Sequence, residues 1–192
     1  MCSSDLPRIP HTDVDDALST FHLAGGFSVE LVADEPLLGD PVDACFDEFG
    51  RMYVAEMHGY PFSHEPTRLN PTGGGKKDAG IIRLLEDTDG DGRMDKSVVF
   101  ADQISWPTSL CCYNGGVFVI APEYLYYFKD TDGDNRADVR DVVLTGFGRD
   151  NVQAVTNGLK WDLDNRIAFV AGRNPKKIMH RGKPLFSVGG DL

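Results

Sequence analysis

Short motifs for nucleotide-dependent and hydrolytic catalysis are missing from this sequence. It has no P-loop, no glycine-rich dinucleotide fingerprint and no serine–histidine–aspartate arrangement, so NTPase, NAD-dependent and hydrolase functions lose support. Basic residues are few, with 19 Lys and Arg against 30 Asp and Glu and a net charge of -11. Because such a chain repels polyanions, nucleic acid and anionic membranes are not expected as partners.

Long apolar runs and cysteine motifs are also absent. No run approaches the roughly 20 apolar residues of a membrane span, and no signal peptide is visible. Neither Cys-x-x-Cys nor Cys-x-x-Cys-His occurs among the four cysteines, so the sequence carries no zinc knuckle and no covalent haem site. Cys45 and Cys111 lie on apolar, strand-like segments, where we expect buried thiols. The redox state of Cys45, Cys111 and Cys112 is left open.

The two ends of the chain lead us to expect a fragment. Residues 1–6 match the translation of a sequencing-library adapter, and the chain stops at residue 192 without a terminal element. We therefore interpret residues 1–6 as an artefact, residues 7–26 as a lead-in with a short helix at 16–21, and residues 27–192 as an incomplete domain.

Two nearly identical acidic segments, 87–95 and 130–138, are the most informative feature present. Each begins Asp-Thr-Asp-Gly-Asp and carries carboxylates at positions 1, 3, 5 and 9. Such oxygens, with the backbone carbonyl of position 7, can surround a hard cation, so we predict two Ca²⁺ sites. The predicted ligands are Asp87, Asp89, Asp91, Arg93 and Asp95 in the first loop, and Asp130, Asp132, Asp134, Arg136, Asp138 and Asp141 in the second. The alternative is that each loop is an acidic, solvated hairpin tip. The presence of two such segments at matching places in a repeat weighs against this interpretation.

These loops differ from EF-hands. Position 12 is Val98 in the first loop and Asp141 in the second, whereas an EF-hand has a bidentate Glu there and a helix on each side. The flanking segments are rich in β-branched residues and favour strands. Position 6 is Gly92 or Asn135, residues that tolerate positive φ. Each loop is therefore predicted to bind Ca²⁺ and so to hold together the two strands of a β-hairpin.

A repeated pattern of hairpins predicts an all-β fold. A strand is expected at 27–32, and strand–turn–strand segments follow at 43–56, 110–121 and 159–171. In the first two copies a second hairpin carries the acidic loop, at 81–100 and 124–144. Four-stranded units with this spacing are typical of a β-propeller, of which the chain would form about three blades. A β-sandwich is the alternative.

Several segments resemble a known family. They are 27–37, 40–42, 46–54, 56–61, both acidic loops, 146–153 and 161–167. Together they resemble the N-terminal propeller of the membrane-bound dehydrogenases of planctomycete and verrucomicrobial bacteria, over roughly residues 18–171. The resemblance implies a six-bladed ring similar to soluble glucose and sorbosone dehydrogenases, with pyrroloquinoline quinone as cofactor. It also implies an extracytoplasmic location and a c-type haem domain beyond residue 192.

Polar residues at the ends of the predicted inner strands are the candidates for chemistry. Glu56 or His58 could take a hydroxyl proton while hydride passes to a quinone. Asn151, Gln153 and Asn157 suit quinone carbonyls or sugar hydroxyls, because amides both donate and accept. Each of these residues could instead have a structural role, the Asn residues in turns, Glu56 in an ion pair and His58 in an exposed loop. Two functions follow: a quinone-dependent sugar or alcohol dehydrogenase, or a non-catalytic calcium-stabilised propeller that binds glycans or proteins.

Overall fold

The fold is all-β with very little helix, as the sequence predicts. The computed structural model describes residues 10, 12–60, 78–149, 151–173 and 177–187. Within these ranges a short helix, α1 (Val14–Ala17), runs into a 3₁₀ turn (Leu18–Thr20) and is followed by twelve strands. The expected helix at 16–21 thus begins slightly earlier. Among the described residues, no helix has the length and apolar character needed to cross a membrane.

The first sheet is a four-stranded antiparallel meander. Its strands are β1 (Pro41–Phe46), β2 (Met52–Glu56), β3 (Gly80–Glu86) and β4 (Lys96–Ile104), paired in chain order. Tyr53 of β2 lies opposite Cys45 on one side and Leu84 on the other. Every residue of β2 is buried, because β2 is an inner strand of the meander.

The second sheet begins as an equivalent meander and then gains two strands. β5 (Ser109–Tyr113), β6 (Gly116–Ala121), β7 (Tyr124–Lys129) and β8 (Val139–Thr145) pair in chain order. β11 (Lys177–His180) pairs with the outer strand β8 and with β12 (Lys183–Ser187).

The third repeat differs from the first two. β9 (Asn157–Trp161) and β10 (Ile167–Val170) form a two-stranded sheet of their own, so the strands after residue 156 do not form one four-stranded sheet. Gly146 explains how β11 reaches β8. It has φ of 98°, and a Cβ there would lie 2.1 Å from the Lys177 carbonyl oxygen. Only glycine allows this approach.

The main core lies between the two meanders. Tyr53 and Phe100 of the first sheet meet edge to face at 5.0 Å between ring centroids. They share a buried cluster with Ile82 and with Val117 and Val119 of the second sheet. A second cluster joins the second sheet to β9, and a third lies under the first acidic loop.

The predicted strand at 27–32 is not present. This segment has no strand assignment, and Phe27 is 75% exposed. Among the described residues, its one backbone hydrogen bond to a distant part of the chain is at Val32, whose carbonyl oxygen accepts the Met94 N–H at 2.8 Å. The apolar alternation suggested a strand, but one hydrogen bond does not make a ladder.

Candidate functional site

The first aspartate of each acidic loop organises the loop backbone. Asp87 accepts the N–H groups of Gly90 at 2.7 Å and Gly92 at 2.9 Å. Asp130 likewise accepts Gly133 at 2.7 Å and Asn135 at 2.9 Å. The position-6 residues have φ of 91° at Gly92 and 65° at Asn135, which confirms the predicted positive φ. The loops connect β3 to β4 and β7 to β8, the same place in each meander.

Three carboxylates converge in each loop. Oxygens of the aspartates at positions 1, 3 and 5 all lie within 4.8 Å of one another in both loops. They belong to Asp87, Asp89 and Asp91, and to Asp130, Asp132 and Asp134. Three like charges at such spacing repel each other, and their oxygen donors are of the type that Ca²⁺ prefers. The residues at these positions therefore fit a hard divalent cation.

The predicted ligands at position 9 have hydrogen-bond partners of their own. Asp95 accepts from the Thr88 hydroxyl at 2.8 Å and from its N–H at 3.2 Å, and Asp138 makes the same pair of bonds to Thr131. The position-9 carboxylates thus close the base of each loop. Asp141 lies in β8, opposite Tyr127.

The position-7 arginines were predicted to contribute backbone carbonyls. The Arg93 guanidinium bonds to Asp34 at 2.7 Å, which fixes the side chain outside the triad. For Arg93 and Arg136 alike, the carbonyl ligand stays a prediction.

Hydrogen bonds hold some loop carboxyls in the ionised form. The N–H groups of Gly92 and Gly90 lower the pKa of Asp87 below its ordinary value. The Thr131 hydroxyl does the same for the pKa of Asp138. Donors that point at a carboxylate stabilise its charged form.

Each loop is also docked on the preceding part of the chain. The position-8 N–H donates to a carbonyl at 2.8 Å in both cases, from Met94 to Val32 and from Ala137 to Phe100 of β4. The Met94 side chain is buried against Met52, Val54 and Leu85. The loops therefore bridge neighbouring units as well as their own hairpins.

A buried charge network surrounds Glu56, the last residue of β2. Its side chain is fully buried. Oε1 accepts from Arg83 Nε at 2.6 Å and from the Gly39 N–H at 2.9 Å, and Oε2 lies 2.9 Å from His58 Nε2. The other ring nitrogen, Nδ1, lies 3.0 Å from Asp40 Oδ2. The structure thus brings the two predicted catalytic residues into direct contact.

An open cavity adjoins this network. It measures about 340 Å³ and is lined by Asp40, Pro41, Val42, Met57, Gly59 and Tyr60. The His58 side chain is 33% exposed and that of Asp40 is 73% exposed. Asp40 links the cavity to the buried Glu56 through the imidazole. Sequence reasoning did not single out Asp40, which lies 18 residues from His58.

The predicted amide cluster does not join the network directly. Asn151 Oδ1 accepts the Gln153 N–H at 3.1 Å, which forms a local turn. Gln153 is exposed and Asn157 begins β9. The Tyr60 hydroxyl donates to the Val152 carbonyl at 3.3 Å, so the cavity wall touches this turn.

Trp106 and Arg149 form a further cluster behind Tyr60, outside the residues that line the cavity. The Arg149 guanidinium carbon lies 4.4 Å from the Trp106 ring centroid. The ring centroids of Tyr60 and Trp106 are 5.5 Å apart. Trp106 is buried and has φ of 51°, an uncommon conformation for a bulky residue. Nothing in the sequence pairs Arg149 with Trp106, because the contact spans 43 positions (149 - 106).

Comparison with known proteins yields one match. A family model described as a domain of unknown function covers residues 13–191 of the 192-residue chain. No curated protein and no solved structure matches the chain.

Proposed function

The chain belongs to the DUF7133 family, and we propose that it is part of a calcium-binding β-propeller in which each acidic loop holds one Ca²⁺. The observation that carries this proposal is the convergence of three carboxylates in both loops, at the same turn of two successive four-stranded meanders. A cation there would neutralise the triad and fasten the hairpin. Binding would also stabilise the contact to the preceding unit, because position 8 of each loop is docked on it.

Contacts among the first strands of the units support the propeller architecture. Asp43 of β1 accepts from the Ser109 hydroxyl at 2.5 Å and from the Leu110 N–H at 3.1 Å. Ser109 of β5 in turn accepts the Leu159 N–H of β9 at 3.0 Å. Side-by-side first strands are expected when blades are arranged around a common axis. We propose a ring of six blades, of which the described residues contain two complete four-stranded units.

The calcium proposal is tested by titration and melting. The full chain, stripped with chelator, is expected to take up two Ca²⁺ per molecule in calorimetry and to melt at a higher temperature with Ca²⁺ than without. The double variant Asp89→Ala/Asp132→Ala should lose both responses. Asp164→Ala, which removes an acid from the exposed β9–β10 turn, is the matched control and should keep them.

The absence of any response to Ca²⁺ would contradict the calcium proposal. If chelator leaves the melting temperature unchanged and calorimetry detects no uptake, the loops are solvated acidic turns. The propeller would then need another source of stability at these hairpins.

We propose as a second function that the domain belongs to an extracytoplasmic dehydrogenase of sugars or alcohols. The observation that favours it is His58, held between Asp40 and Glu56 at the edge of an open cavity. A base is required to take the hydroxyl proton of such a substrate. Both ring nitrogens face carboxylate oxygens, which hold the imidazole in a fixed orientation at the cavity edge. We therefore assign the proposed role of base to His58.

Pyrroloquinoline quinone would supply the hydride acceptor in such an enzyme. It carries three carboxylates, and the described residues that line the cavity include Asp40 but no cationic side chain. This lining does not fit the quinone, so we assign no quinone contact to it. Asn151, Gln153 and Asn157 keep their proposed roles only as hydrogen-bonding groups. A c-type haem that accepts the electrons belongs to the proposal as a partner outside this sequence.

Dye reduction separates the dehydrogenase from the alternative. The complete reading frame, secreted with Ca²⁺, would be assayed on a panel of sugars and alcohols with and without the quinone. The dehydrogenase proposal expects quinone-dependent turnover that His58→Gln abolishes and that His22→Gln, at an exposed histidine, leaves intact. No turnover and no calorimetric quinone binding would instead favour a calcium-stabilised propeller that binds glycans or protein partners.

A further inference from the structure

Two cysteines from different sheets face each other in the seam between the meanders. Cys45 of β1 and Cys112 of β5 have their sulfur atoms 3.1 Å apart. This is closer than the about 4 Å at which apolar heavy atoms touch. The two residues are 67 positions apart in the chain, so their meeting is a product of the fold. We propose that Cys45 and Cys112 form a disulfide that links the two sheets covalently.

The surrounding contacts hold the two strands in register for this bond. Asp43, two residues before Cys45, accepts from Ser109 and Leu110 of β5. The Cys112 carbonyl accepts the Trp161 indole N–H at 3.1 Å, which adds a tie to β9. The two cysteine side chains also pack against the main core. Closing the bond requires the two sulfur atoms to approach from 3.1 Å to the bond length of about 2.05 Å in a disulfide.

The third described cysteine is directed elsewhere. Cys111 neighbours Cys112, and successive side chains of a strand point to opposite faces. It is buried in the cluster with Ile120 and Leu159, whereas Cys112 packs against the cluster of Tyr53 and Phe100. The structure therefore selects Cys112 over Cys111 as the partner of Cys45, a choice that the sequence left open.

The chemistry is thiol–disulfide exchange with a small-molecule disulfide such as oxidised glutathione. One cysteine thiolate attacks the glutathione disulfide and releases one glutathione thiol. The second cysteine thiolate then attacks the mixed disulfide and releases the other. The cysteine pair loses two protons and two electrons, and the glutathione disulfide gains both. The hydrogen bond with Cys112, together with burial, raises the pKa of the Cys45 thiol, so little Cys45 thiolate is present near neutral pH and its exchange is slow.

Peptide mapping of the full chain is the direct test. The protein would be incubated with oxidised glutathione, blocked with a thiol alkylating agent, digested without reduction and examined by mass spectrometry. We expect a linked peptide pair containing residues 45 and 112 that separates on reduction. Because residues 111 and 112 share a peptide, the Cys111→Ser variant identifies the sulfur, and its link should be unchanged.

Melting provides the functional measure. Reductant is expected to lower the melting temperature of the oxidised chain by about 5–15 °C. The same drop is expected in Cys111→Ser and none in Cys45→Ser or Cys112→Ser. Alkylation of both Cys45 and Cys112 after oxidation, or a link from Cys45 to Cys111, would overturn the proposal. Fragmentation of the linked wild-type peptide between residues 111 and 112 in the mass spectrometer decides the question even if a variant fails to fold. It does not depend on whether the loops bind Ca²⁺.

Discussion

At the scale of single residues, Glu56 is the most constrained ionisable group described. A fully buried carboxylate is costly unless it is paired and hydrogen-bonded, and Glu56 obtains Arg83, His58 and the Gly39 N–H as partners. The sequence shows a glutamate at the end of an apolar strand but not these partners, which come from residues 39–83. Its burial could not be read from the pattern, because glutamate usually lies at the surface.

Removing Arg83 should therefore destabilise the protein strongly. Arg83→Met leaves the buried Glu56 carboxylate without its strongest partner, and we expect a loss of about 3 kcal/mol in the free energy of unfolding. Urea denaturation would measure it. Arg166→Met is the control, because the Arg166–Asp164 pair is solvent-exposed and should change stability by less than about 1 kcal/mol. The double variant Glu56→Gln/Arg83→Met should recover part of the loss; failure to do so would mean that buried charge is not the cause.

The loop carboxyls predict an acid-sensitive fold in the absence of calcium. The pKa values of Asp87 and Asp138 lie below their ordinary value of 3.8 in the folded chain. The unfolded chain therefore binds protons first as the pH falls, and stability is lost from about pH 4 downward.

In chelator, the melting temperature should thus fall with pH in this range. Asp138→Asn should make the fall shallower, because one group with a lowered pKa is gone. Asp164→Asn, an exposed acid with no role in the triads, should leave the slope unchanged. Equal slopes in all three proteins would show that Thr131 does not hold Asp138 ionised.

At the scale of elements, sequence patterns located the hairpins well. Apolar alternation with Gly or Asn turns identified the strands on either side of Gly50, Gly115 and Asn165, and the acidic loops were placed correctly between strands. Residues 27–32 show the same alternation but no ladder. The alternation of apolar and polar residues shows which face of a segment is apolar. A strand also needs a hydrogen-bonding neighbour along its length.

The site was less predictable than the strands. The triads follow from sequence spacing, because positions 1, 3 and 5 lie on one short turn. The position-9 carboxylates accept hydrogen bonds from Thr88 and Thr131 at position 2, and their role as ligands stays a prediction. Asp40 meets His58, and Arg149 meets Trp106, only through the packing of separate segments, and no local signal reports that.

The junction of β8 with β11 should depend on Gly146. Gly146→Ala would place a methyl group 2.1 Å from the Lys177 carbonyl oxygen, so β11 must move. Gly158→Ala is the matched control, since Gly158 also has positive φ, at 75°, but open space around its Cβ. Both variants incur about 1–2 kcal/mol from the left-handed backbone. Only Gly146→Ala should further lower stability and speed amide exchange in β11. Equal stability and equal exchange in the two variants would show that the Lys177 backbone moves away from the added methyl group at little cost.

At the scale of the whole molecule, burial is concentrated in the two meanders. β2 is buried throughout and β6 nearly so, whereas β9 and β10 are mostly half-buried or exposed. Trp161, Leu163 and Val170 present large apolar side chains to solvent around this third hairpin. Stability should therefore decline along the chain from the second meander to β9–β10.

Amide hydrogen exchange would test this gradient. We expect the slowest exchange in β2, β3 and β6, and exchange in β9 and β10 faster by at least about tenfold, since each 1.4 kcal/mol of local opening energy is a factor of ten. Uniform protection from β1 to β10 would contradict it and indicate a single cooperative unit.

The docking of each acidic loop on the part of the chain before it has a mechanical consequence. A tensile load that pulls the first sheet from the second is carried in part by the Ala137–Phe100 hydrogen bond at the second loop, beside the Asp43 contacts to Ser109 and Leu110. The turn between β11 and β12 is instead the short Arg181–Gly182 pair, without a run of acids. In the reduced chain, calcium would thus raise the rupture force of the seam between the two meanders and leave that of the last hairpin unaltered. A pulling experiment would find one calcium-sensitive rupture event and one that ignores the ion.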